Sequence, residues 1–374
     1  MVSVAASLIV RDEQRFLPGC FESLQGRVQE IIVVDTGSSD ASPRIAADFG
    51  ATLIHFPWAN DFSAARNAGL DKISARWVLY IDADERLNLP DGGQVGDYVD
   101  AAAVANYVRF RPKTGYTRYR EPRLFRQDPR VRFVGAIHET VVPSLREMSA
   151  REGLPIVPSR VEIDHLGYDG DQSHKHPRNL PLLERAVHAE PDRIYYWYHL
   201  AETLAALGRA EEALDVAARG IVAAERNDSE KQRADGSLIF QTMARLLKQR
   251  GEESLPLIER GLARMPEDYG LQFLRGLALI DAARPLDALE IAEGLRAIEP
   301  DDLDGGLLAF ERAIFREKAC ELAALASLRL GRRDAASGWF AEAFRLAPDN
   351  GAYRLKAAAL GRSRSVETRS AVGG

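Results

Sequence analysis

At 374 residues the chain is too long for one compact core, because single cores stop growing near ~250 residues, and two domains are expected. A composition of 46% hydrophobic and 28% charged residues is that of an ordinary folded protein, and a net charge of −6 excludes the basic footprint that nucleic acid requires. Any phosphate chemistry must then rest on local cations or a bound metal. The two cysteines, Cys20 and Cys320, lie far apart in apparent helices, so neither a disulfide framework nor a thiolate metal site is readable, and a reducing cytoplasm fits. The opening MVSVAASLIVRDEQ lacks the pattern of an export signal, and no stretch approaches the ~20 apolar residues of a membrane span.

Up to about residue 112, short β-rich runs alternate with helical stretches: SVAASLIV, RFLPGCFESL, EIIVVD, ASPRIAADFG, ATLIHF, DFSAARNAGLDKI and WVLYID. Strands and helices alternating at these lengths make βαβ units, hence a parallel sheet with helices on both faces. The unbroken apolar run at 31–34 suits a strand buried on both sides. From 103 to 165 the runs AVANYVRFRP, PRLFR, VRFVGAIHETVV and SRVEIDHL read as strands with no long helix between them, an irregular continuation of the same domain.

After residue 178 the strand signal gives way to Ala, Leu, Glu and Arg at helical spacing. Pro191, Pro266, Pro300 and Pro348 each follow an amphipathic helix, and Pro266 to Pro300 is one unit of 34 residues, the tetratricopeptide period. Trp197, Leu200, Ala201, Leu204, Gly208, Ala213, Ala217 and Gly220 occupy the positions where that repeat places its large, small and turn residues. Gly331, Ala336, Phe340, Ala343 and Pro348 repeat the second half. This region therefore resembles a tetratricopeptide solenoid of about four helix pairs, offering a surface for a peptide, a protein or a second copy of the chain. Most of the small residues serve helix packing alone. The expected organisation is an α/β domain over 1–177, the helical repeats over 178–360 and a disordered tail over 361–374.

Ligands of open parallel sheets bind beyond the carboxyl ends of the strands. EIIVVD ends in Asp35 and WVLYID in Asp82, so both carboxylates are expected at one crevice. Asp82 and Asp84 fall on the same side of an extended segment, a spacing that can hold one hard divalent cation with help from a ligand's phosphate oxygens. The two acids then stand unpaired, half of a site whose positive charge arrives with the metal. Glu85 is read as a helix-start acid or salt-bridge partner. RPKTGYTRYREPRLFR is basic and aromatic, but in an acidic chain it fits an acceptor or diphosphate contact better than nucleic acid.

EIIVVDTGSSD, FSAARNAGL and VLYIDADE together resemble family 2 glycosyltransferases, inverting enzymes of the GT-A fold. SLIVRDEQRFLPGCFESL occupies the place of that family's opening motif, with Asp12 where Asn is more usual. FPWANDFSAARN, RLFR, VGAIHE and DHLGY are similar to a branch that includes lipopolysaccharide-core glucosyltransferases and bacteriocin S-glycosyltransferases. The resemblance covers roughly residues 3–170 and implies a Rossmann-like GT-A domain, a nucleotide-sugar donor, for which a UDP-sugar is expected, and Mn2+ or Mg2+.

Carried over residue by residue, the resemblance puts Asp35 on the nucleotide base, Arg66 on the base or phosphates, Asp82 on the ribose and Asp84 on the metal. Ser7 and Glu13 of the opening stretch and Arg123 of RLFR join the donor site. Glu139 is the candidate base that an inverting transfer needs, with His138 as its substitute or orienter. His165 would complete the metal site, and His174, Lys175 and His176 lie in a segment able to fold over a diphosphate. A zinc site from these histidines is disfavoured because neither Cys nor HExxH accompanies them. Asp61 is expected to cap the helix carrying Arg66. The acceptor expected is a peptide or protein side chain, or an envelope saccharide. Two readings from other classes stand beside this one. A scaffold with an inactive glycosyltransferase-like domain has no need of charges at strand ends, and a nucleotidyltransferase would need a Gly-rich phosphate loop after the first strand, where the first glycine is Gly19.

Overall fold

Alternation along the first strand, β1 (Val4–Val10), divides the N-terminal unit into two layers. Val4, Ala6, Leu8 and Val10 face one side, where they pack on Leu17, Cys20 and Phe21 of α1 (Leu17–Leu24) and Ala46 of α2 (Ser42–Asp48). Ala5 faces the other, with Leu70 of α3 (Phe62–Leu70) and Leu145 and Met148 of α4 (Val142–Glu152). In this computed structural model residues 2–112, 115–167, 175–226, 230–303 and 306–361 are described, without the side chains of 230–233. The chain divides into two compact units, Met1–Glu190 with Asp304–Leu307, and Pro191–Leu303 with Leu308–Gly374. Helix α5 (Lys175–Ala189) falls in the first.

The sheet has eight strands in the order β3-β2-β1-β4-β7-β6-β8-β5. β2 (Glu30–Asp35), β3 (Thr52–His55) and β4 (Trp77–Tyr80) run parallel with β1, as their βαβ pattern requires. β7 (Tyr119–Arg126) is antiparallel to β4 and to β6 (Ala105–Pro112). β8 (Ile156–His165) then runs parallel with β6 and antiparallel to the edge strand β5 (Glu85–Asn88). The expected irregular, mixed half is therefore present, but one expectation about it fails. VRFVGAIHETVV makes only an isolated bridge between Val134 and Thr140, and helix α4 separates β7 from β8. Its punctuation is plain in retrospect: Pro143 at the first helical turn and Gly153 closing it at φ 66, where L residues are strained. The β-forming run before it masked that signal.

Among its described residues the second unit is all α, a series of helical hairpins. α6 (Ile194–Ala206) pairs with α7 (Ala210–Arg226), α8 (Glu230–Gln249) with α9 (Leu255–Arg264), α10 (Tyr269–Asp281) with α11 (Pro285–Arg296), and α12 (Glu317–Arg329) with α13 (Arg333–Leu346). α14 (Gly351–Gly361) follows, and residues 362–374, most of the expected tail, lie outside those described. Close approach depends on small residues: a Cβ on Gly220 would lie 2.7 Å from the Cβ of Trp197. No helix among the described residues is long and apolar enough to cross a membrane.

Asp268 caps α10 from within this array, accepting from Leu271 N at 2.8 Å and from Gln241 Nε2 at 3.1 Å. Burial pushes its carboxyl up to about 6, so the folded state holds the proton more tightly than the unfolded chain does. Its contribution is therefore present below the ordinary carboxyl range and is lost as pH rises through 6. Asp268→Ala should cost about 1–2 kcal/mol through the lost cap. Asp268→Asn keeps the accepting oxygen and discards the charge, so it should melt above wild type at pH 7 and lose that advantage at pH 4; thermal melts at the two pH values check both.

Candidate active site

Residues 81–84 are all that separate β4, inside the sheet, from β5 at its edge, and this short link carries Asp82 and Asp84. Its shape is fixed by reciprocal bonds: Asp82 N donates to Glu85 Oε2 at 2.8 Å and Glu85 N to Asp82 O at 3.1 Å. Leu166 N donates to Asp84 O at 3.1 Å, tying the turn to the end of β8. Arg86 clips the turn to α1, donating to the carbonyls of Ala83 at 2.9 Å, Glu85 at 2.7 Å and Phe16 at 3.0 Å. Gly19 makes room for that guanidinium, since a Cβ there would stand 2.8 Å from Arg86 Nε and Nη2. Gly19→Ala is accordingly expected to displace Arg86, cost about 2 kcal/mol in hydrogen bonds to a charged group, and loosen the turn that holds Asp84. Chemical denaturation should register the loss as a lowered midpoint.

Beyond the turn, buried charges alternate in sign. Arg66 donates from Nη2 to Asp82 Oδ1 and from Nε to Glu139 Oε1, both at 2.7 Å. Arg123 Nη1 lies 3.6 Å from Asp82 Oδ2 and 3.2 Å from Glu85 Oε2, while its Nε donates to Glu121 Oε2 at 2.7 Å. Arg66 sits over the rings of Tyr80 and Phe133, Arg123 over those of Tyr80 and Phe110. Burial opposes the charge on each guanidinium, but the surrounding carboxylates outweigh it and raise both above the ordinary arginine value. Burial likewise opposes ionising Asp82, yet Arg66 and Arg123 hold its carboxyl down at about 2. Glu85, 2% exposed, is carried by burial up to about 7 despite Arg123. Removing one member of such a set leaves an uncompensated buried charge, at a cost of about 3–5 kcal/mol.

The expectation of two unpaired aspartates is thus half right. Asp82 faces two arginines, whereas Asp84 Oδ2 is buried without a hydrogen-bond donor among the described residues. Its neighbour is His165 Nε2 at 3.2 Å. That carboxylate, as partner and as charge, raises the His165 pKa. Glu13 belongs to the same field: burial, then the charge of Asp84, push its carboxyl up to about 7, with Lys175 opposing. Among the described residues no group of three His, Cys, Asp or Glu is placed to hold a cation, so a metal on Asp84 and His165 would take its other ligands from phosphate and water.

Asp35 is buried at the end of β2, accepting from Ser38 N at 3.0 Å with His55 Nδ1 3.5 Å away. The neighbouring loops are zipped together. Asp12 Oδ1 accepts from Ser39 N at 2.7 Å and Asp40 N at 3.3 Å, and Glu13 N donates to Ser42 Oγ at 2.8 Å. Ser7 lies apart from this cluster, buried in β1 where a Cβ on Gly69 of α3 would stand 3.0 Å from its hydroxyl. His138 precedes Glu139 with φ 50, a left-handed residue that is not glycine. Asp61 caps α3 as expected, accepting from Ala64 N at 3.0 Å. His174 lies outside the described residues. Sequence reasoning missed Glu121, Arg86 and the rings flanking the arginines; only the alternation of Glu121 with Arg123 on one face of β7 offered a hint.

Residues 8–144 match the family model described as Glycosyl transferase family 2. That match lies within the N-terminal unit. The chain is similar to the SPbeta prophage-derived glycosyltransferase SunS of Bacillus subtilis, 26% identical over 256 residues that cover 64% of this chain and 58% of that protein. A TPR repeat-containing protein of Synechococcus elongatus is 39% identical over 178 residues, 46% of this chain and 44% of that protein. The chain thus spans about half the length of the curated relatives it matches. A solved tetratricopeptide repeat protein from Parabacteroides merdae, 16% identical, covers 52% of this chain and 70% of its own with a TM-score of 0.40.

Proposed function

We propose that this chain is a metal-dependent inverting glycosyltransferase that moves a sugar from a nucleotide diphosphate, a UDP-sugar, to a peptide or protein side chain. The family 2 domain supports glycosyl transfer as the reaction class. The observation that carries the metal is Asp84 Oδ2, a buried carboxylate oxygen without a donor among the described residues and beside a histidine nitrogen, since a buried anion is tolerated where a cation is to be bound. Mn2+ or Mg2+ held by Asp84 and His165 would neutralise the charge gathering on the departing diphosphate.

The remaining work falls to the chain's own residues. Asp35, at the end of β2, is the nucleotide contact, and Glu13 and Lys175 lie in the field of Asp84 where phosphates would arrive. Glu139 is anchored through Oε1 to Arg66, which leaves Oε2 to take the acceptor's proton. As that proton leaves, the nucleophile bonds to the anomeric carbon on the face opposite the diphosphate, and the sugar–phosphate C–O bond breaks with its electron pair passing to the diphosphate. The helical repeats hold the acceptor in this reading, as suits a hairpin array.

Incubation with a panel of UDP-sugars and Mn2+ should release UDP, and a chelator should stop it. An envelope saccharide outperforming peptides in acceptor assays would reassign the acceptor. No release from any nucleotide sugar, together with no metal-dependent UDP binding, would overturn the proposal.

A further inference from the structure

We infer that Arg66 acts as a positioning residue for the base Glu139, joining it to the donor-side carboxylate Asp82 through one rigid guanidinium; this deepens the reading above and rests on it. Both arms of the fork are engaged at 2.7 Å, Nε on Glu139 Oε1 and Nη2 on Asp82 Oδ1. The residue is 7% exposed and its Cζ sits 5.1 Å from the Tyr80 ring centre and 5.6 Å from that of Phe133. Those contacts spend the guanidinium inside the protein. An arginine so held has little freedom to turn toward a base or a phosphate, whereas it is well built to fix two carboxylates against each other.

Asp82 arrives from the sheet centre just after β4, and Glu139 from the irregular segment between β7 and α4. They are far apart in sequence and share no backbone element, so a flexible cation would leave their separation loose. The planar fork sets it. Glu139 has no other partner among the described residues, so Arg66 alone fixes which carboxylate oxygen is turned away for the acceptor. A misplacement of about 1 Å in such a group can cost about 100-fold in rate.

Arg66→Ala would strand two carboxylates, so the test uses Arg66→Lys, which keeps the charge and loses the fork, in wild-type and Glu139→Gln backgrounds. Turnover and Mn2+-dependent UDP binding are measured for all four full-length proteins. Arg66→Lys should lower kcat about 100-fold with UDP affinity within about threefold of wild type, and in the Glu139→Gln background it should cause little further loss, because both changes remove one function. A fall in UDP affinity that matches the fall in turnover, or losses that multiply across the two changes, would make Arg66 a nucleotide ligand or an independent element and overturn the inference. Full turnover in Glu139→Gln alone, or no metal-dependent UDP binding by wild type, would instead overturn the underlying reading and this inference with it.

Discussion

Asp84→Ala should reduce Mn2+-dependent release of UDP from a UDP-sugar by about a thousandfold or more, since a metal that neutralises a leaving diphosphate contributes several kcal/mol to the barrier. The expectation comes from position. Asp84 Oδ2 receives no hydrogen bond among the described residues, and His165 Nε2 stands at 3.2 Å. The turn around it is held by backbone atoms of Asp82, Glu85 and Leu166 and by Arg86, none of which needs the Asp84 carboxylate. The alanine variant should therefore fold, with stability within about 1 kcal/mol of wild type. Loss of turnover with retained melting temperature separates a ligand from a structural acid. Turnover that survives in the variant would place the metal elsewhere or remove it from the reaction.

Glu139→Gln should lower turnover by about 10²- to 10⁴-fold, the range ascribed to one general base, while UDP binding with Mn2+ stays unchanged. Glutamine preserves the shape and an oxygen for Arg66 Nε, which now bonds Glu139 Oε1 at 2.7 Å; only the capacity to accept a proton is lost. His138→Asn is the companion variant, because asparagine tolerates the left-handed backbone at φ 50. A larger loss in His138→Asn than in Glu139→Gln would transfer the role of base to the histidine.

Much of this arrangement was legible in the residues because it is local. Alternating β-rich and helical runs specified the parallel strands, and acids ending EIIVVD and WVLYID pointed at one end of the sheet. Helix α4 was hidden because the strand-like run before it outweighed Pro143 and Gly153. Pairing was hidden for a different reason. Arg66 meets partners 16 and 73 residues away, and Arg123 meets Glu85 at a separation of 38, so no local spacing distinguishes the aspartate that is neutralised, Asp82, from the one that is not, Asp84. The same holds for Gly19, whose need for a bare Cα is set by an arginine that arrives from another element.

The central claim is that Asp84 and His165 form half of a metal site completed by the donor's phosphates. Calorimetric titration of UDP into the full chain tests it most directly, with Mn2+ and with chelator, for wild type and Asp84→Ala. Binding that requires Mn2+ in wild type and vanishes in the variant is the predicted result. Equal affinity with and without metal, or metal-dependent binding that Asp84→Ala leaves intact, would contradict it.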